Sequence, residues 1–366
     1  MSKEAAMNIK ERVKRAIARK SVEPIPMMYR GLLDTDMRLC EHFRLDSPEK
    51  DWGELLRRLN ADIMSTGCTL SKYTRYIPEY NGPFKEKCYN DHALFYAWGL
   101  DSAPAQTAFG EYIHYAVNAP LREASLGEIA SYRAPALEDF TFDNFTLDMS
   151  LRKDNFFCTG ILNYIFILAS WLRGQDQFFV DLAIDQKAAA ALVDKIGEFA
   201  VELTKAIYDK HGDKLDMFGI WDDVADQRSL CMNPETWRKL FKKWDRRIID
   251  VVKSYDQIVL FHCCGNCTAI IPDFIEIGVD ILDPVQTTAA EMDLEGLKRL
   301  YGRDLCFHGG IDIQRLLPFG TREAIQAEVR KIQDLFGTGG GIILGPSHEI
   351  PNDVPIENIV AMYSKR

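Results

Sequence analysis

Short apolar runs alternate with stretches of helical periodicity along most of the chain. Eight runs read as strands: residues 25–30, 61–66, 156–161, 215–220, 257–262, 278–283, 304–309 and 341–345. Most are bounded by Gly, Asp or Pro and lack a polar face, as expected of strands buried on both sides. Helical patterns fill the gaps. Leu192, Ile196, Phe199 and Leu203 recur at helical spacing and make one apolar stripe. Asn233-Pro234-Glu235 reads as a helix start, with a capping side chain, a proline at the first helical position and an acid in the first turn. Thr321 opens another helix, with Ile325, Val329 and Ile332 on one side.

Eight strand–helix alternations predict an α/β fold, a (β/α)8 TIM barrel, in preference to an open doubly wound sheet. Residues 1–366 read as a single barrel domain. One connection is abnormal: the second and third strands are separated by residues 67–155, far longer than an ordinary loop. The segment 67–140 is rich in aromatic residues, among them Tyr73, Tyr76, Tyr80, Phe84, Tyr89, Phe95, Tyr96 and Trp98. It needs a small core of its own, and it is also expected to cap the C-terminal face of the barrel.

Composition narrows the function classes. Over 366 residues, 47% are hydrophobic and 27% charged, an ordinary globular balance. The net charge of -10 and the absence of a basic run argue against nucleic acid as a partner. No apolar stretch approaches a membrane span; the longest, residues 161–172, is broken by Asn163. The charged N-terminal segment has no apolar core of a secretory signal, so a cytoplasmic location is expected. Nine irregularly spaced cysteines then read as reduced thiols or metal ligands. The glycine run 337–341 precedes the eighth strand, on the face of a barrel that carries stability, and reads as a turn.

In a barrel, chemistry sits just beyond the C-terminal ends of the strands. Those ends carry Tyr29 and Arg30, then Trp221, Asp222 and Asp223, then the stretch 262–267, then Asp283 and Gln286, then His308, and finally Ser347, His348 and Glu349. His262 and Cys264 are two residues apart, so an extended backbone turns both to one face and Cys263 to the other. A nitrogen and a sulfur donor on one face suit zinc. His348 is the preferred third ligand, with Cys267 and Glu349 as alternatives. The Cys264–Cys267 spacing also fits a redox pair, but the thioredoxin-like context is missing.

Several stretches resemble the uroporphyrinogen decarboxylase superfamily, and within it the corrinoid-linked zinc methyltransferases. They are 260–266 (Leu-Phe-His-Cys-Cys-Gly-Asn), 279–286 (Val-Asp-Ile-Leu-Asp-Pro-Val-Gln), 307–312 (Phe-His-Gly-Gly-Ile-Asp) and 342–348 (Ile-Ile-Leu-Gly-Pro-Ser-His) running on to 353–358. Residues 10–17 and 24–26 fit as well. The resemblance implies a (β/α)8 barrel and a zinc held by a His-x-Cys pair, here His262 and Cys264, with a later cysteine whose place is taken by His348. It implies a corrinoid (cobalamin) supplied by a partner protein, and homodimers are common among such proteins. The implied activity is methyl exchange between a small methylated compound, such as an aryl methyl ether, and a corrinoid protein. Asp222 or Asp223 then acts as an acid or orients a zinc-bound His, His348 joins them in catalysis, and Tyr29, Gln286 and His308 serve cofactor binding. The alternatives are a uroporphyrinogen decarboxylase-like lyase and a non-catalytic barrel acting as a binding partner. True decarboxylases of this kind carry an Arg-Gln-Ala-Gly-Arg signature after the first strand; residues 27–33 here hold one arginine, Arg30.

Overall fold

The computed structural model describes residues 7–65, 79–84, 93–106, 112–142, 156–160, 165–212 and 216–364. Eight parallel strands follow one another in sequence order in a single sheet: β1 (Met28–Tyr29), β2 (Ile63–Ser65), β3 (Phe156–Gly160), β4 (Met217–Trp221), β5 (Ile258–His262), β6 (Ile281–Val285), β7 (Cys306–Ile311) and β8 (Ile342–Pro346). The last returns to the first: Met27 bridges Leu344 in parallel, and the Leu344 N–H donates to the Pro26 carbonyl at 2.9 Å. Eight parallel strands closed in this way, with helices between them, make a (β/α)8 barrel.

All eight strands occur where the hydrophobic pattern puts them, with shifted ends. The first is shorter because Pro24 and Pro26 have no N–H to give to a ladder. The sixth starts later because Gly278, at φ 98°, is the left-handed cap of helix Ile271–Ile277, and the Val279 N–H is used to close that cap on Phe274. Asp283 therefore lies inside the strand rather than at its end. Helix starts follow the sequence signals. Asn233 accepts from the Glu235 N–H ahead of helix Pro234–Leu240, and Thr321 from the Ala324 N–H ahead of helix Arg322–Phe336. Leu192, Ile196, Phe199 and Leu203 are buried along helix Gln186–His211.

The chain divides into two compact units. The first comprises residues 1–65, 147–158 and 280–366. It holds β6, β7 and β8 with β1, β2 and the start of β3. The glycine run before β8 is a turn: Gly341 donates to the Ala16 carbonyl at the end of helix Ile9–Ile17. A Cβ on Gly340 would lie 2.3 Å from the Lys20 carbonyl oxygen, so only glycine fits that approach.

The second unit comprises residues 66–146 and 159–279 and holds the end of β3, β4, β5 and the long insertion. Two antiparallel pairs, Ser102–Gln106 with Tyr112–Ala116 and Glu79–Tyr80 with Phe140–Thr141, belong to the insertion. Its rings pack on outer helices: Trp98 and Phe140 meet Phe199 at 5.7 and 5.9 Å between centroids, and Phe95 meets Trp171 at 4.8 Å. Phe95, Trp98 and Phe140 of the insertion thus build a core with helices Ile165–Arg173 and Gln186–His211. Tyr73, Tyr76 and Tyr89 lie outside the described residues. Among the described residues no helix is long and apolar enough to cross a membrane.

Candidate functional site

In the second unit, β4 and β5 pair so that Trp221 and His262 are direct neighbours at their C-terminal ends. Side chains of paired residues in parallel strands stand on the same face, and here the two rings stack, 4.3 Å between centroids with 14° between planes. His262 Nε2 lies 3.4 Å from Cys264 Sγ. Asp223 Oδ1 accepts the Cys264 N–H at 2.7 Å and lies 3.8 Å from His262 Nε2. One carboxylate oxygen therefore holds the backbone of the thiol residue while facing the imidazole.

Cys263 points the other way, as the alternation of an extended chain requires. It is buried, and the Cys267 thiol hydrogen-bonded to it, together with burial, pushes its own thiol well above the ordinary range. Cys267 is thereby engaged with Cys263 in the core. Beyond Cys264 the backbone turns sharply at Gly265, φ 88°, where a Cβ would sit 2.1 Å from the Asp226 carbonyl oxygen. Asn266 fastens the turn to the loop after β4: its N–H donates to the Asp226 carbonyl at 2.7 Å and its side-chain amide to the Arg228 carbonyl at 2.9 Å.

Asp222 and Asp223 have different surroundings. Asp222 is buried, and its two oxygens accept the N–H groups of Phe166 and Ile167 at 2.7 and 3.0 Å, at the start of helix Ile165–Arg173. Burial pushes its carboxyl well above the usual range, against the pull of those two donors. Its place is that of a helix cap. Asp223 is the half-exposed carboxylate beside His262.

The first unit carries the remaining candidates. His348 lies beyond β8, half-exposed, with Nδ1 2.5 Å from the Glu349 carboxylate, which is itself buried. Gln286 donates to the Ser347 carbonyl at 3.5 Å. Asp283 is fully buried; it pairs with the Arg30 guanidinium at 2.9 Å and with His308 Nδ1. The His308 ring fills the space left by Gly345, where a Cβ would come 2.6 Å from His308 Nε2. The Tyr29 hydroxyl donates to Asp36 at 2.6 Å; burial first, and then the neighbouring Asp36, push the phenol well above its usual range. Tyr29 and His308 are thus enclosed side chains with buried carboxylate partners.

Two relationships escaped the sequence reading. The stacking of Trp221 on His262 follows from the β4–β5 register, which no local pattern reveals. The pairing of Glu349 with His348 has a signal in the adjacency of a histidine and a carboxylate, a signal equally consistent with Glu349 as an alternative ligand.

His262 and Cys264 together offer a nitrogen and a sulfur donor able to hold a metal ion. With bonds of 2.0–2.1 Å to nitrogen and 2.3 Å to sulfur, the N···S edge of a tetrahedral zinc site is about 3.6 Å. The observed 3.4 Å fits that edge.

A family model described as uroporphyrinogen decarboxylase (URO-D) matches residues 147–366. The methylcobamide:CoM methyltransferase MtbA of Methanosarcina mazei is 26% identical over 181 residues, covering 49% of this chain and 48% of that protein. MtbA of Methanosarcina acetivorans is 24% identical over 197 residues, 54% of each chain. The uroporphyrinogen decarboxylase of Pseudoalteromonas translucida is 26% identical over 172 residues, 46% of this chain and 44% of that one. The chain matches about half the length of each of these curated relatives. A solved methyltransferase structure from Methanosarcina mazei superposes with a TM-score of 0.67 at 18% identity, over 97% of both chains, and so shares the fold.

Proposed function

On the premise that the chain belongs to the uroporphyrinogen decarboxylase family, we propose that it is a zinc-dependent methyltransferase. It exchanges a methyl group between a small methylated compound, such as an aryl methyl ether, and a corrinoid protein. The observation that carries this reading is the His262–Cys264 donor pair, 3.4 Å apart, with Asp223 beside it. Both relatives described as MtbA are methylcobamide methyltransferases, which supports the same branch.

His262 and Cys264 would hold the metal, and the family resemblance makes His348 the proposed third ligand. The Glu349 carboxylate against His348 Nδ1 supports this assignment, because it would leave Nε2 as the coordinating nitrogen and would raise its basicity. Cys267 is disfavoured by its engagement with Cys263, and Glu349 by its engagement with His348. Zinc bound there supplies Lewis acidity, polarising a donor oxygen or holding an acceptor thiol as thiolate. Asp223 orients the pair through the Cys264 N–H and, standing half-exposed beside His262, is the one of the two aspartates open to a reacting group. Asp222 holds helix Ile165–Arg173, and with it the β4 end, in place. A cytoplasmic protein, working beside its corrinoid partner as a homodimer, fits this activity.

Decarboxylation of a tetrapyrrole is the second reading, favoured by the Pseudoalteromonas relative. Arg30 weighs against it: the guanidinium that follows β1 is buried in a pair with Asp283 rather than offered to substrate carboxylates. The experiment incubates zinc-loaded protein with cob(I)alamin and a series of aryl methyl ethers, and follows the visible spectrum for methylcob(III)alamin. Formation that requires both His262 and Cys264 supports methyl transfer. Loss of carboxyl groups from uroporphyrinogen, with no change in the corrinoid spectrum, reverses the assignment.

A further inference from the structure

We infer that Trp221 is a positioning residue for the His262–Cys264 pair, setting the aim of the imidazole and strengthening its hold on a divalent cation. The inference rests on the reading that this pair binds a metal. The torsion that turns a histidine ring is broad, so an imidazole at a strand end needs an outside restraint to present one nitrogen in one direction. The β4–β5 register supplies it: Trp221 and His262 are paired residues, and their rings lie 4.3 Å apart and 14° from parallel. In that plane Nε2 is turned to Cys264 Sγ at 3.4 Å, on the side where Asp223 Oδ1 stands at 3.8 Å. Rotation of the ring out of this plane would drive it into the indole.

The indole face also acts electrostatically. An imidazole that coordinates a cation carries part of its positive charge, and the negative face of an indole attracts such a ring more strongly than a phenyl face does. The stack is therefore tighter in the metal-bound form than in the free form, and by linkage the metal binds more tightly when the stack is present. Both Trp221 and His262 are buried, so water does not screen the effect.

The test measures zinc affinity by competition with a chelating dye in the full chain, for the wild type, Trp221→Phe, Trp221→Leu and His262→Ala. Thermal melting of each metal-free protein is recorded alongside, since a merely space-filling tryptophan changes melting and leaves affinity alone. Trp221→Leu is expected to weaken zinc about tenfold, the scale of an outer partner of a metal ligand. Trp221→Phe is expected to recover most of this, remaining about threefold weaker than wild type because its ring is the poorer π face. Equal affinity in wild type, Trp221→Phe and Trp221→Leu, with binding lost in His262→Ala, overturns the positioning role and leaves the metal site standing. Equal binding in wild type and His262→Ala overturns the metal site itself. If Trp221→Leu does not fold, Trp221→Phe decides: affinity equal to wild type overturns the inference.

Discussion

Asp222 and Asp223 are consecutive, yet their carboxylates serve different parts of the molecule. Asp222 accepts the Phe166 and Ile167 N–H groups at a helix start, while Asp223 accepts the Cys264 N–H and faces the His262 imidazole. Their substitutions should separate accordingly. Asp222→Ala removes a cap and should lower unfolding free energy by about 1–2 kcal/mol in a denaturant titration. Asp223→Ala should stay within about 0.5 kcal/mol of wild type, as half-exposed positions do. It should instead weaken zinc binding roughly tenfold, because it removes an outer partner of the donor pair. An Asp222→Ala protein as stable as wild type would remove the capping assignment.

Metal content distinguishes the candidate ligands. Purified wild type should carry one zinc, and His262→Ala and Cys264→Ala should lose it. His348→Ala should lower occupancy, and Cys267→Ala should retain the metal because its thiol is engaged with Cys263. Elemental analysis of the dialysed proteins reads all four. Retention in His348→Ala with loss in Cys267→Ala would exchange the two assignments.

Gly345→Ala tests the buried Arg30–Asp283–His308 group. The new methyl would fall 2.6 Å from His308 Nε2, so the ring must shift within its buried pair with Asp283. Overpacking of this kind costs about 1–3 kcal/mol, and disturbance of a buried charged group adds to it. A denaturation midpoint unchanged by Gly345→Ala would show that the ring has room to move.

Asp245 gives a pH dependence. It is buried in helix Lys242–Ser254, its Oδ1 has no hydrogen-bond partner among the described residues, and burial pushes its carboxyl up from 3.8 to about 8. The folded state therefore holds this proton more tightly than the unfolded chain does. The contribution is most favourable below the unfolded value near 4, declines as pH rises toward about 8, and is constant above that. Asp245→Asn keeps the shape and removes the charge. Its melting temperature should exceed that of wild type by an amount that grows from pH 4 to about pH 8 and then levels off. A difference independent of pH would mean that Asp245 does not titrate in this way.

Local chemistry determined much of this protein. Apolar runs flanked by Gly, Pro and Asp located all eight strands, because a strand covered on both faces has to be apolar along its length. Asn233 and Thr321 marked helix starts because a capping side chain acts on N–H groups only two or three residues away. The two-residue spacing of His262 and Cys264 predicted a shared face, since an extended backbone alternates by single residues. Contacts between strands were decided only by the folded chain. Nothing near Trp221 or His262 in the sequence says that their rings stack, because the stack depends on the register between β4 and β5. Nothing near Asp222 or Asp223 says which one caps a helix, because Phe166 and Ile167 belong to a distant segment. Nothing near Arg30 in the sequence says that its guanidinium pairs with Asp283, because that partner lies 253 residues further along the chain. Side-chain type and spacing are properties of a few neighbouring residues; a partner brought from far along the chain is a property of the packed barrel, and it sets what each candidate residue can do.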